Sequence, residues 1–122
     1  MKIDSINLIN FRNYENLKIE FSKFLNIIYG LNGSGKTNLV EAIYLLSLTK
    51  SFRISNDKIL IKKGAIKTKV WGEIENNGDT SSYGVEISGD GKSVLINDQK
   101  IDKISDYISR INIVLFNPND IR

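Results

Sequence analysis

The chain has 122 residues, 41% of them apolar, and a formal net charge of +3 from 17 basic and 14 acidic side chains. This length is enough for one domain with a hydrophobic core. Because the chain has neither cysteine nor histidine, disulfides, thiol chemistry and thiolate or imidazole metal sites are excluded, and only oxygen ligands remain for a metal. The small positive charge is compatible with nucleic acid but does not indicate it.

The N-terminal quarter of the chain is predicted to contain three strands. Residues 2–10 and 17–21 form the first two, and the second alternates apolar and charged side chains. The intervening residues 12–16 are typical of a turn. Residues 24–29 are nearly all apolar, which predicts a central strand that is covered on both faces and ends at Gly30.

A helical pattern follows. Apolar residues recur at the spacing of one helical face at Leu39, Ala42, Ile43 and Leu46. Further apolar neighbours widen this face nearly all round, which predicts a helix that starts near Lys36 and is buried between layers. A short helix is predicted at residues 57–60, with Ser55 or Asn56 as its N-cap.

The second half of the chain has the pattern of an antiparallel meander. The predicted strands cover residues 66–75, 83–87 and 94–96. The turns between them are rich in Asn, Asp and Gly and lie at residues 76–79 and 89–91. Asn97-Asp98 is predicted to be a two-residue hairpin loop.

The last part of the chain is predicted to form one or two helical turns at residues 104–109 and then a buried strand at residues 111–116. Because this strand is followed so closely by Arg122, we expect a fragment of a longer protein. The N-terminus has no apolar signal core, and the longest apolar stretch, residues 39–48, is too short to span a bilayer. The expected location is therefore the cytoplasm, with no membrane partner.

One motif carries specific chemistry. The pattern G-x-x-x-x-G-K-[ST], known as Walker A, is matched by Gly30, Leu31, Asn32, Gly33, Ser34, Gly35, Lys36 and Thr37. Its glycines let successive backbone N–H groups face phosphate oxygens, and the helix that follows adds its N-terminal dipole. The Lys36 ammonium can reach the outer phosphates, and the Thr37 hydroxyl can ligate Mg²⁺. The motif predicts that the chain binds a nucleoside triphosphate, most simply ATP with Mg²⁺.

The sequence does not supply the catalytic half of such a site. A hydrolase of this class needs an acidic residue at the end of another apolar strand, but residues 113–116 are followed by Asn117-Pro118-Asn119, and Asp120 lies further on. Ser88-Gly89-Asp90-Gly91 superficially resembles the Ser-Gly-Gly signature of ABC-type ATPases, yet its position between two strands favours an ordinary turn. We therefore predict no catalytic residue in these 122 residues.

Four segments together resemble the bacterial RecF proteins, which are DNA-repair ATPases related to the SMC class. The matching segments are Asn10-Phe11-Arg12-Asn13-Tyr14, residues 33–46 of the phosphate loop and first helix, Lys50-Ser51-Phe52-Arg53, and Val114-Leu115-Phe116-Asn117-Pro118. The sequence departs from the family at Asn117 and Asn119, where Ser and Glu are expected, and at Asn97-Asp98, which replaces the usual Asn-Gly.

The resemblance implies an α/β fold: a P-loop NTPase, the N-terminal lobe of an ABC-type ATPase head with an attached antiparallel β-meander. It divides the chain into strands, Walker A loop and helix (1–64), meander (65–103) and a return to the core sheet (104–122). It also implies that two complete heads dimerise around ATP, bind DNA at single-strand gaps, and work with RecO and RecR to load RecA. Asn38, which follows the loop, is also predicted to bind the nucleotide, and the resemblance implies that Arg12 and Asn13 approach it.

Several residues have two interpretations. Arg12 and Asn13 are either nucleotide contacts or a solvated turn. Glu41 is either part of a buried ion pair or, as the pattern favours, a partly exposed edge. The basic residues Lys62, Lys63, Lys67 and Lys69 either contact DNA or, as is more usual, form a solvated face. Trp71 is predicted to lie in the core or on the sheet surface.

Two other functions remain open on the sequence. One is another SMC-like or overcoming-lysogenisation-defect-type ATPase. The other is a P-loop kinase, which would need a lid with several arginines. Between the loop and residue 119 the sequence offers only Arg53 and Arg110 for such a lid.

Overall fold

The computed structural model describes residues 2–23, 29–31 and 33–115. Its strands are β1 (Lys2–Phe11), β2 (Tyr14–Glu20), β3 (Lys67–Asn76), β4 (Asp79–Ser88), β5 (Gly91–Ile96) and β6 (Gln99–Lys100). Its helices are α1 (Gly33–Leu48) and α2 (Ile104–Leu115), with short 3-10 helices at Phe21–Lys23 and Asp57–Leu60.

The described strands form one six-stranded antiparallel sheet in the order β2-β1-β3-β4-β5-β6. The predicted strands 2–10 and 17–21 are confirmed as β1 and β2. The turn between them is shorter than predicted, because the Arg12 backbone has φ 55° and a two-residue turn brings Phe11 opposite Tyr14. Since β1 pairs with β3, the first strands and the meander share a sheet. The division at residues 64 and 103 stays a prediction.

The predicted meander is confirmed as β3, β4 and β5. Residues 88–91 form the turn between β4 and β5, as expected from their position between two strands. Asn97 and Asp98 form the tight turn into β6, with φ values of 53° and 64°. Both residues of a type I′ hairpin turn need positive φ, and Asn and Asp accept it more readily than other non-glycine residues.

The core lies between one face of the sheet and the two helices. Along β3, side chains on this face are buried, whereas those on the other face, such as Trp71, are only half-buried. The placement of Trp71 on the sheet surface agrees with the prediction. The largest fully buried side chains of the core include Ile6, Leu8, Phe11, Ile19, Leu39, Leu45, Leu60, Ile74, Ile87, Tyr107 and Ile111. These residues come from strands, helices and the 3-10 helix, so all of them pack around one core.

Helix α1 is buried along one side. Leu39, Ala42 and Leu45 are fully buried, but Val40 is 48% exposed. The prediction of a helix covered on both sides is therefore wrong for the part of the chain that the structure describes. The helix also begins at Gly33, earlier than the predicted start near Lys36.

The predicted strand at residues 111–116 is wrong over residues 111–115, which belong to helix α2; Phe116 lies outside the described residues. The predicted helical turns at 104–109 are confirmed as the first part of this helix. Ile104, Tyr107, Ile108 and Ile111 recur at helical spacing, and Tyr107 and Ile111 are completely buried. Because this apolar face is buried, the helix extends through residues 111–115, whose β-branched side chains had suggested a strand.

Two further predictions concern the segments before and after α1. The short helix at residues 57–60 is confirmed, and Asn56 caps it by accepting a hydrogen bond from the Lys58 backbone. The predicted central strand at residues 24–29 lies outside the described residues except for Tyr29, which has helical backbone and is 80% exposed. A short apolar run does not by itself distinguish a strand from a helix.

Candidate nucleotide-binding site

The phosphate-loop residues lie at the N-terminal end of α1. Gly33 to Thr37 form its first turns, Gly30 has helical backbone, Leu31 lies in a bend, and Asn32 is outside the described residues. Lys36 is exposed. The positive end of a helix dipole therefore lies beside an exposed ammonium group, which is an environment that attracts anions.

The surroundings of the loop fit a triphosphate and its metal. A β-carbon added at Gly30 or Gly33 would have no heavy atom within 4 Å, so the backbone there borders open space. The Thr37 hydroxyl donates a hydrogen bond to the Gly33 carbonyl over 3.0 Å. A hydroxyl that donates its proton keeps its lone pairs for a metal ion such as Mg²⁺. Among the described residues, no group of three or more acidic side chains could hold a metal ion.

The turn between β1 and β2 lies against the start of α1. The Asn38 side-chain amide donates a hydrogen bond to the Asn13 side-chain oxygen over 3.3 Å. The Tyr14 hydroxyl donates to the Gly35 carbonyl over 3.2 Å, and burial raises the pKa of this phenol. The structure thus brings two segments that the sequence identified separately, the opening motif and the phosphate loop, into direct contact.

A polar cluster lies behind the loop, formed by Arg12, Glu41, Ser51 and Arg53. The Glu41 side chain is completely buried and accepts five hydrogen bonds. Arg12 donates from Nε and from a terminal nitrogen over 2.9 and 3.0 Å. Arg53 donates over 2.6 and 3.2 Å, and the Ser51 hydroxyl over 2.6 Å. We call these four residues the Glu41 cluster.

The electrostatics of the Glu41 cluster keep the carboxylate charged. Burial raises the pKa of Glu41, but hydrogen bonds from Arg12, Arg53 and Ser51 outweigh this effect and lower the pKa to about 2. Two guanidiniums share one carboxylate, so the cluster has a net charge of +1. The Arg12 and Arg53 side chains remain 22% and 33% exposed. Positive charge therefore reaches the surface beside the phosphate loop.

The favoured sequence interpretation of Glu41, a partly exposed edge, is wrong, and the alternative of a buried ion pair is confirmed. Sequence reasoning identified Arg12 but did not connect it with Glu41 or Arg53. A single acidic residue in an otherwise apolar helix is the signal that could have suggested such a pair, because a buried carboxylate requires cationic partners. The partners themselves are 29 and 12 positions away along the chain.

The basic residues at positions 62–69 lie at the start of β3 and just before it. Lys67 pairs with Glu86 at 3.7 Å, and Lys69 pairs with Asp98 at 3.6 Å. The Lys69 ammonium also lies 5.0 Å from the centre of the Trp71 ring. Pairing with acidic side chains of β4 and of the β5–β6 turn favours the interpretation of Lys67 and Lys69 as part of a solvated face. In the described part of the chain, no helix is long and apolar enough to cross a membrane.

The fold and the loop together are typical of a P-loop ATPase head. The family model described as the RecF/RecN/SMC N terminal domain matches residues 2–120, and the chain belongs to this family. Similar curated proteins are named DNA replication and repair protein RecF. The one from Carboxydothermus hydrogenoformans is 46% identical over 120 residues, covering 98% of this chain and 34% of the relative. The one from Clostridioides difficile is 38% identical over 122 residues, covering 100% and 33%.

Solved structures give the same result. The recombination mediator protein RecF-ATPrS in the RecFOR pathway superposes with a TM-score of 0.73 at 30% identity, covering 87% of this chain and 29% of that one. The SMC head domain from Thermotoga maritima, at 21% identity, shares the fold with a TM-score of 0.64 over 90% of this chain and 42% of that one. The predicted fold class and the resemblance to RecF are confirmed. The chain spans about a third of the length of the curated relatives it matches.

Proposed function

We propose that the loop and the start of α1 bind the triphosphate of ATP with Mg²⁺. The binding residues are Gly30, Leu31, Asn32, Gly33, Ser34, Gly35, Lys36, Thr37 and Asn38, with Arg12 and Asn13 at the edge of the site and Thr37 as the Mg²⁺ ligand. The observation that carries this proposal is the exposed Lys36 in the first turns of α1, the helix that also carries Glu41, on which Arg12 and Arg53 converge. A similar solved structure, that of RecF with ATP, supports the proposal.

The test is the Lys36→Ala variant of the complete gene product. Lys36 is exposed and adds no core packing, so the circular dichroism spectrum should be unchanged while the affinity for a fluorescent ATP analogue falls severely. Lys58→Ala removes the same charge from an exposed lysine on the 3-10 helix and should leave the affinity unchanged. Equal affinities of the wild type and Lys36→Ala would overturn the assignment.

We propose further that the complete protein is a RecF-like DNA repair and recombination protein. In this proposal two heads dimerise on ATP, bind DNA at single-strand gaps, and act with RecO and RecR to load RecA. The names of the similar proteins and the family match support it. DNA affinity should increase with ATP and fall steeply with salt, because phosphate contacts release counterions. Measurement by fluorescence anisotropy of a gapped duplex would refute the proposal if neither ATP nor salt changed the affinity.

We propose that the complete protein is a weak, dimer-dependent ATPase and that the 122-residue chain alone does not turn over ATP. Phosphoryl transfer depends on positioned charges around the outer phosphate. The chain presents the phosphate loop without a recognised acidic strand end or signature segment. Phosphate release should be measured on both forms with Lys36→Ala as the contamination control. Lys36-dependent turnover by the short chain at the rate of the complete protein would overturn this view.

The kinase alternative is not favoured. A kinase lid needs arginines that can move onto the transferred phosphate. Arg53, one of the two arginines available for it, is held by two hydrogen bonds to the buried Glu41 carboxylate. An arginine fixed in this way supports the site from behind and does not behave as part of a mobile lid.

A further inference from the structure

The hydrogen bonds of the Glu41 cluster do not end at the carboxylate. One terminal nitrogen of Arg53 contacts both a Glu41 oxygen, over 2.6 Å, and the Asn38 side-chain oxygen, over 2.7 Å. The Asn38 amide in turn donates to Asn13. A continuous chain of hydrogen bonds therefore runs from the buried carboxylate to Asn38, the half-buried residue that directly follows the phosphate loop.

Glu41 lies on the same helix as the loop residues, one turn after Thr37. Residues three and four apart on a helix share a face, so Glu41, Asn38 and Thr37 lie on one side of α1. The two arginines reach this side from different segments, the β1–β2 turn and the segment after α1. The carboxylate is the point at which three segments of the chain meet.

We propose that Glu41 is a positioning residue for the phosphate loop. Its carboxylate holds Arg12 and Arg53 in fixed orientations, and Arg53 then fixes the Asn38 side chain beside the bound triphosphate. Paired N–H groups on a carboxylate define the direction of a guanidinium as well as its distance. This inference rests on the proposed function, because it assigns Glu41 a role in the affinity of that same site.

The experiment compares ATP affinity in variants of the complete gene product, measured well below the unfolding temperature of each. Glu41→Gln keeps the shape of the side chain and removes its charge, and we expect the Kd for ATP to rise about tenfold. Arg53→Lys keeps the positive charge but cannot bridge Glu41 and Asn38 as a planar fork, and we expect a rise of about fivefold. Should Glu41→Gln fail to fold, Arg53→Lys still tests the proposal.

Asp57→Asn is the matched control. It breaks the 2.8 Å ion pair between Asp57 and Lys92. This ion pair holds the far end of the segment that follows α1, whereas Arg53 lies near the start of that segment. If Glu41 and Arg53 have a merely structural role, Glu41→Gln and Arg53→Lys should behave like Asp57→Asn. All three variants would then lower the unfolding temperature and leave the Kd for ATP unchanged. The positioning role predicts that only Glu41→Gln and Arg53→Lys change the Kd, while Asp57→Asn leaves it within about twofold.

A double-mutant cycle between Glu41→Gln and Asn38→Ala adds a second readout. If Glu41 acts through Asn38, the effects of the two substitutions on the Kd for ATP are strongly non-additive. The double variant then has about the same Kd as the single variant that binds ATP less tightly. Additive effects, or a wild-type Kd for Glu41→Gln, overturn the proposal. Failure of the wild type to bind ATP, or unimpaired binding by Lys36→Ala, is a different result and refutes the proposed function itself.

Discussion

Gly72 on β3 and Leu46 on α1 define how closely the helix approaches the sheet. A β-carbon added at Gly72 would lie 3.0 Å from Leu46 Cδ2 and 3.3 Å from the Ser5 carbonyl oxygen. Both neighbours are buried. Because α1 carries the phosphate loop at its other end, this contact contributes to the position of the candidate site.

Gly72→Ala should lower the free energy of unfolding by about 2 kcal/mol, because the added methyl group would be in tighter than ordinary contact with the Leu46 side chain and the Ser5 carbonyl, and both neighbours would have to shift within a packed core. Urea unfolding of the chain measures the change. Gly89→Ala is the control, since a β-carbon at Gly89 meets nothing within 4 Å and the residue does not have positive φ. Equal effects of the two substitutions would contradict the close-approach explanation.

The stability of the protein should depend on pH through Glu41. The folded-state pKa is lowered from 4.5 to about 2, so the folded state binds fewer protons than the unfolded state between these values. The contribution of the Glu41 carboxylate to the free energy of unfolding is fully present above pH 4.5 and is lost as the pH falls towards about 2. The free energy of unfolding should fall by about 2 kcal/mol in total. This is less than the pKa shift alone implies, because the partly solvated arginines weaken the interaction with Glu41.

This pH dependence can be isolated with Glu41→Gln, which cannot titrate at that position. The difference in unfolding free energy between wild type and variant, from urea titrations at successive pH values, should shrink as the solution is acidified. A difference that stays constant with pH would show that Glu41 does not have a lowered pKa in the folded protein.

Asp98→Gly should stabilise the chain by about 0.5 kcal/mol. Asp98 has φ 64° in the β5–β6 turn, where glycine has no steric cost. The 3.6 Å pairing with Lys69 is lost, but Asp98 is 83% exposed, so that contact contributes little. Asp90→Gly, at a turn residue without positive φ, should not stabilise. A lower thermal midpoint for Asp98→Gly would contradict the prediction.

Tyr107→Phe should destabilise the chain by about 1 kcal/mol. The buried Tyr107 hydroxyl donates to the Leu46 carbonyl over 2.8 Å, and this bond joins α2 to α1. The phenylalanine ring keeps the packing and removes only this donor. Tyr44→Phe is the control, because Tyr44 is half-buried and its ring makes a T-shaped contact with the Phe52 ring. Chemical denaturation of both variants should show a loss for Tyr107→Phe alone.

Much of the fold was predictable because its patterns are local. The alternation of β3 and β4, the Asn56 cap and the Asn97-Asp98 turn each depend on a few neighbouring residues. The strand predicted at residues 111–116 is a helix over residues 111–115, because β-branched residues favour strands only where a neighbouring strand pairs with them. The burial of Tyr107 and Ile111 against α1 and the sheet instead selects a helix.

By itself, the sequence determined the Walker A motif, the likeness to RecF, the meander and the helix that follows the loop. These depend on residue identities at fixed short spacings. Only the tertiary structure decided that Glu41 is buried and that Arg12 and Arg53 converge on it. The reason is that a buried charge needs partners, and the residues that supply them are brought together by the packing of β1 and the segment after α1, which no local pattern records.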